Sequence, residues 1–227
     1  MRFGLLKWRE MSVPYDPEKE RPTRNILHAT GRLQNGDTLD VFVVHFPSRR
    51  GGVRATEKYR CRAAEVLKNV ADSIVSQRVI PLVVITGDFN DEPQDKSLSE
   101  VLCAQSLRDF SLEKAKELSS VATGKTPEYT ILTDCLTACE NKVRGTYKYQ
   151  GYWNRLDHFL INSSMLSPGY SLYAALDACQ IFILPFLLTS DSKEWGGVQP
   201  RRMYLGNFYK GGVSDHLPLV LTLWMQE

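Results

Sequence analysis

The sequence predicts an α+β domain of layered sheets and helices. Three observations lead there. Short β-branched runs recur along the chain and end abruptly in Asp, Asn or His. One long stretch repeats apolar residues at helical spacing. Asn35-Gly36 lies between two strand-like runs, the strongest short signal for a hairpin. With 227 residues, 43% of them hydrophobic, a single core of good size can form, so 1–227 reads as one domain.

The elements follow in chain order. Residues 1–24 are Pro-rich and charged and read as an irregular lead-in, with one short strand near Phe3–Trp8. Ile26–Leu33 and Leu39–Phe46 form the predicted hairpin. The second run is nearly all apolar, which predicts a central strand buried on both faces and delivering His45 at its end. Tyr59, Ala63, Val66, Leu67, Val70 and Ile74 predict an amphipathic helix over 56–76, with Lys58, Arg62, Glu65, Lys68 and Asn69 as its solvated face. Pro81–Thr86 is the next strand. Ser97–Ala104 reads as a short helix, with Ser97 as N-cap and Glu100 closing a capping box. Residues 109–144 predict only a helical turn and loops. Thr146–Gln150 and Leu156–Asn162 read as strands joined by Gly151–Asn154. Ile181–Leu184 and Leu217–Trp224 are further strands. Thr189–Lys210 reads as one long loop, a length that marks functional or mobile segments.

Composition narrows the class. A net charge of +2 gives no broad polyanion-binding surface, although the field inside a cleft matters more than the sum. The five Cys form no CxxC, and Cys135 and Cys139 lack nearby zinc partners, so the cysteines read as buried thiols. The first residues lack the apolar core of a signal peptide. The most apolar stretch, Tyr170 to Leu188, is broken by Asp177, Gln180 and Pro185, so no stable membrane insertion is expected.

Four polar clusters sit at strand boundaries: His45; Asp88 and Asn90; Asp157; Asp215 and His216. Each has a plain structural reading by itself. A histidine ending a strand is commonly a satisfied structural residue, and Asp-x-Asn favours turns. Asp157 enters an apolar strand and needs a partner, for which His216 is available. Taken together they are harder to explain as structure alone. They hold no recognisable nucleophile, only carboxylates, a carboxamide and imidazoles. That set suits water activation, cation binding and protonation of a leaving oxygen, and phosphate-ester hydrolysis matches it.

The motifs Gly87-Asp88-Phe89-Asn90, Arg155–Ile161 (RLDHFLI) and Gly211–Leu223 (GGVSDHLPLVLTL) resemble the endonuclease/exonuclease/phosphatase superfamily, and Val43–Gly52 resembles its first catalytic-histidine segment. Gly145–Tyr149 and the aromatic C-terminal loop resemble a bacterial branch. The resemblance implies a four-layer α/β/β/α sandwich like that of deoxyribonuclease I. It implies Asp88 orienting or deprotonating water, Asn90 holding the scissile phosphate, and Asp157 paired with His216 as base or phosphate ligand. It further implies Asp215 helping to bind Mg²⁺ or Mn²⁺, and His45 protonating the leaving group. Arg49 and Arg50 are expected to reach substrate phosphate. The family's usual Asn and metal-binding Glu do not precede His45; Glu10 is the nearest candidate. The expectation is therefore an N-terminally truncated domain with a weakly held metal. It acts as a phosphodiesterase or phosphomonoesterase on a small molecule or nucleic acid; the alternative is a non-catalytic remnant that binds a phosphate ligand. Its location is expected to be cytoplasmic if Met1 is the natural start, and periplasmic or secreted if a signal precedes it.

Overall fold

A computed structural model of the chain describes residues 3–14, 23–106, 129–131, 143–175 and 177–226. The strands in the first part of the chain are β1 (Gly4–Met11), β2 (Ile26–Arg32), β3 (Thr38–His45), β4 (Leu82–Asp88), β5 (Ala104–Ser106) and β6 (Tyr129–Ile131). They are followed by β7 (Tyr147–Tyr149), β8 (Tyr152–Asn154) and β9 (Asp157–Asn162). A seven-stranded mixed sheet runs in the order β1-β2-β3-β4-β9-β6-β5. The parallel pair β3 and β4 is joined by helix α1 (Val53–Gln77), the long crossover that parallel strands require.

Two cores flank this sheet. Alternation along β4 sends Val83 and Ile85 to the α1 side and Leu82 and Val84 to the other. The α1 side buries Phe42, Val44, Ala63, Leu67 and Leu160. The opposite side buries Leu39, Ile161, Met165, Leu172 and Leu217 beneath small two-stranded pieces. These are β10 (Leu172–Tyr173), β11 (Cys179–Ile181), β12 (Leu188–Ser190), β13 (Val198–Pro200), β14 (Tyr204–Leu205), β15 (Phe208–Tyr209), β16 (Leu219–Leu221) and β17 (Trp224–Met225). They pair as β10-β17, β11-β16, β12-β13 and β14-β15. The layering among the described residues is thus helix, sheet, second β layer, an α+β arrangement that accounts for three layers of the expected four-layer α/β/β/α sandwich.

Several expectations need correction. The predicted lead-in contains an eight-residue edge strand, because β1 finds a full antiparallel partner in β2. β3 is not buried on both faces: Val43, on the face toward the second β layer, is 42% exposed. No capping box forms, because the Ser97 hydroxyl donates to Asp91 instead and 97–101 is a π-helical turn. Gly151–Asn154 is no mere connection; β8 pairs back on β7. The long loop holds two hairpins, and buried Lys148 ties one of them down through Asp191 (2.6 Å) and the carbonyls of Gly196 and Val198. The C-terminal strand is split into β16 and β17. Cys103 is exposed rather than buried, while Cys135 and Cys139 lie outside the described residues. Most of 109–144 also lies outside them, apart from β6 and residues 143–144.

Candidate active site at the strand ends

The register of the sheet assembles the site. His45 pairs with Asp88 across β3 and β4, and Asp88 pairs with Asp157 across β4 and β9. Strand alternation then puts all three side chains on the face toward the second β layer. One row below lie Val43, Thr86 and Phe159, also in register and none fully buried.

His216 comes from the other layer. Its backbone forms a bridge with Tyr147, and the Leu217 amide donates to the Thr146 carbonyl at 2.8 Å. This brings His216 Nδ1 to 2.6 Å from Asp157 Oδ2, which also accepts from the Thr146 hydroxyl at 2.5 Å. A carboxylate can only accept, so Nδ1 carries the proton and Nε2 is presented away from Asp157. The Tyr147 ring packs 4.8 Å from the imidazole.

Asp88 and Asn90 form a rigid unit. The Asn90 amide N–H donates to Asp88 Oδ1 at 2.8 Å, and Asn90 Nδ2 donates to Asp88 Oδ2 at 3.0 Å and to the Phe46 carbonyl at 3.1 Å. Both carboxamide protons are thereby engaged, and Asn90 positions Asp88. Gly87 permits this turn: its φ is +136°, and a Cβ there would lie 2.0 Å from the Val44 carbonyl oxygen.

Electrostatics distinguish the groups. Burial, then the nearby Asp157 charge, pushes the Asp88 carboxyl up to about 6. For His216 burial acts to lower the value, but the hydrogen bond and charge of Asp157, with Asp88 and Asp215, outweigh it and raise it. His45 is lowered by burial and by the charges of Arg24 and His216. His45 lies 3.4 Å from Asp88 Oδ2 and its ring is 46% exposed.

Asp88, Asp157 and His216 each offer a ligand atom within 4.8 Å of the others. Two carboxylate oxygens and an imidazole suit a divalent cation that completes its shell with water and substrate oxygen. Asp215 is exposed and stands outside this cluster, though its charge reaches both histidines. Glu10 is also outside it; its carboxylate accepts from Asn25 at 2.8 Å on the edge-strand side. Arg49 is drawn inward: Nε donates to the Asn90 carbonyl at 2.6 Å and Nη2 to Asp95 at 2.5 Å. Arg50 is exposed.

Sequence reasoning missed three contributors. Thr146 supports Asp157, and nothing in its type signalled it. Arg24 acts at a distance on His45 and Asp88. Arg60 is fully buried, with Nε 2.6 Å from Asp91 Oδ1, and anchors the segment after Asn90 to α1. Its position was legible: Thr56, Arg60, Ala63, Ala64 and Leu67 fall on one stripe, so a charge there needs a buried partner.

Comparison with known proteins bears on the family and the fold. The model of the endonuclease/exonuclease/phosphatase family matches residues 2–225. No curated protein matches the sequence. Among solved structures, a conserved protein of unknown function from Enterococcus faecalis V583 is 13% identical with a TM-score of 0.54, the match covering 99% of this chain and 68% of that one. The mannosyl-6-phosphatase Bt3783 of Bacteroides thetaiotaomicron VPI-5482 is 13% identical with a TM-score of 0.54, over 98% and 67%. D. rerio TDP2 complexed with single-strand DNA product is 16% identical with a TM-score of 0.53, over 99% and 69%. The chain thus spans roughly two-thirds of the length of these neighbours, whose likeness is one of fold. With the family match running over nearly its whole length, the chain belongs to the endonuclease/exonuclease/phosphatase family.

Proposed function

We propose that this chain hydrolyses a phosphate ester, a phosphodiester or a phosphomonoester, by direct attack of water. The observation that carries the reading is the in-register row His45–Asp88–Asp157 with His216 hydrogen-bonded onto its end. Asp88 takes the role of orienting and deprotonating the water; a carboxyl near 6 is suited to a base at neutral pH. His216, raised by its carboxylate neighbours, faces the phosphate as an imidazolium and stabilises the developing oxyanions. His45 is the proton donor to the leaving oxygen. Its lowered value returns upward once a phosphate anion offsets the cationic neighbours that depress it. A divalent cation, Mg²⁺ or Mn²⁺, held by the Asp88 and Asp157 carboxylates would supply charge neutralisation at the phosphate. Asp215 would act on it only at longer range.

The substrate class stays broad: small phosphate esters or nucleic acid. The neighbours include a sugar phosphatase and a protein bound to a DNA product. Exposed Tyr204 and Tyr209 near Arg201, Arg202 and Lys210 offer a surface for either. The second reading, a non-catalytic phosphate binder, draws support from the two-carboxylate cation cluster among the described residues. Hydrolysis of bis-p-nitrophenyl phosphate and p-nitrophenyl phosphate with Mg²⁺ or Mn²⁺ separates the two. Turnover above an Asp88→Ala control supports hydrolysis. No turnover, with phosphate binding retained in calorimetry, replaces it by the binder. For a nucleic-acid substrate, affinity should fall steeply with salt, and a flat response excludes it.

A further inference from the structure

A second cavity, of about 750 Å³, opens between α1 and the edge of the sheet, lined by Lys7, Trp8, Arg9, His28, Asp40 and Arg78 among others. It shares no residue with the row at the strand ends. Asp40 and His45 are five residues apart on β3, so the two sites are separated by about 16 Å along the strand.

The lining is the wrong kind for a helix to cover. A sheet face that packs under a helix is apolar, as around Phe42 and Val44. Here the same face carries Lys7 opposite Thr30 and Arg9 opposite His28. The buried floor is polar and ordered. Arg9 Nε donates to His28 Nδ1 at 3.3 Å, so His28 Nε2 carries the ring proton and donates to Asp40 Oδ1 at 2.8 Å. The Thr30 hydroxyl donates to the same oxygen at 2.6 Å, and Arg78 Nη2 to Asp40 Oδ2 at 3.1 Å. Asp40 is buried and balances one cation. Lys7, Arg9 and Arg78 together leave two positive charges in excess at the mouth.

We propose that this cavity binds a small phosphate-bearing anion, independently of the site at the strand ends. The volume is that of a site for a small organic ligand. Guanidinium forks suit phosphate oxygens.

Pyrophosphate serves as the probe, titrated into the whole chain in EDTA and followed by calorimetry and indole fluorescence. Saturable one-to-one binding is expected. A Lys7→Gln/Arg9→Gln double variant should weaken it about tenfold or more. His216→Ala should leave it within about twofold. If the double variant does not fold, Lys7→Gln alone, at an exposed side chain, should weaken binding about threefold. Absence of saturable binding overturns the proposal. So does binding that survives the cavity variants and disappears in His216→Ala, which would assign it to the strand-end site.

Discussion

Burial, and then the adjacent Asp157 charge, raise the Asp88 carboxyl to about 6 from the ordinary 3.8. Folding therefore makes the group hold its proton longer. The resulting penalty is absent below about pH 4 and complete above about pH 6, where it amounts to roughly 3 kcal/mol. Asp88→Asn should remove that penalty and lose part of the gain through its altered contact with Asn90. Thermal melts of the metal-free chain should show the variant ~1–2 kcal/mol more stable at pH 7.5, with the advantage gone at pH 4. A constant difference across that range would mean that Asp88 is not the titrating group. Hydrolysis, if present, should be abolished in the same variant, the usual opposition of stability and activity at a functional site. Gly87 is a second residue whose reason is local. Any Cβ meets the Val44 carbonyl oxygen in a left-handed backbone, so Gly87→Ala should cost about 2 kcal/mol and displace Asp88. Urea denaturation together with loss of turnover checks both effects.

At the scale of elements, the segment after Asn90 matters as much as the motif that precedes it. Arg60 on α1 donates to the Thr56 hydroxyl at 2.8 Å and the Val53 carbonyl at 2.9 Å, and pairs with Asp91. Asp91 also accepts from the Ser97 hydroxyl at 2.7 Å, and its carbonyl lies 2.8 Å from His158 Nε2 on β9. The helix, the π-helical turn and β9 therefore meet at one buried residue, Asp91, the first two through its carboxylate and β9 through its carbonyl. Arg60→Leu leaves that charge without its principal counter-ion and should destabilise the fold by ~3–5 kcal/mol in urea denaturation. Arg49 does the corresponding work from the loop after β3, so Arg49→Ala should lower turnover through displacement of the Asp88–Asn90 unit, with substrate affinity changed less. Comparison of kcat with KM checks that split. Of these elements the sequence revealed those with strong periodicity. The Asn35-Gly36 hairpin is present, with Gly36 at φ +92°, and the helix runs three residues earlier and one later than its apolar repeat predicts. The full length of β1, beyond the short strand expected near Phe3–Trp8, and the division of the second layer into very short strands were not legible. Strands of two or three residues carry no period, and β1 is exposed on both faces, so its only determinant is hydrogen bonding to β2.

The whole molecule converts four distant motifs into one site by register. Residues 45, 88 and 157 meet because β3, β4 and β9 are neighbours in the sheet, and residue 216 joins them because the second β layer folds back over that end. Cation binding should therefore stabilise the folded chain as a unit. Mn²⁺ at about a hundred times its dissociation constant should add roughly 2.7 kcal/mol, and Asp157→Asn should remove most of that gain. Equal shifts of the melting temperature in both proteins would remove Asp157 from the cation site. The sequence alone determined the α+β class, the helix and the hairpin, and pointed to His45, Asp88, Asp157 and His216 as candidates. Those features rest on local chemistry, namely apolar period, turn residues and polar groups closing apolar runs. Only the tertiary structure decided which of them act together. It drew Asn90 and Arg49 into positioning roles, placed Asp215 outside the cation cluster, and supplied Arg24, Thr146 and the Arg60–Asp91 pair. Strand register and layer closure, which set those distances, depend on contacts between residues far apart in the chain, and no local pattern encodes them.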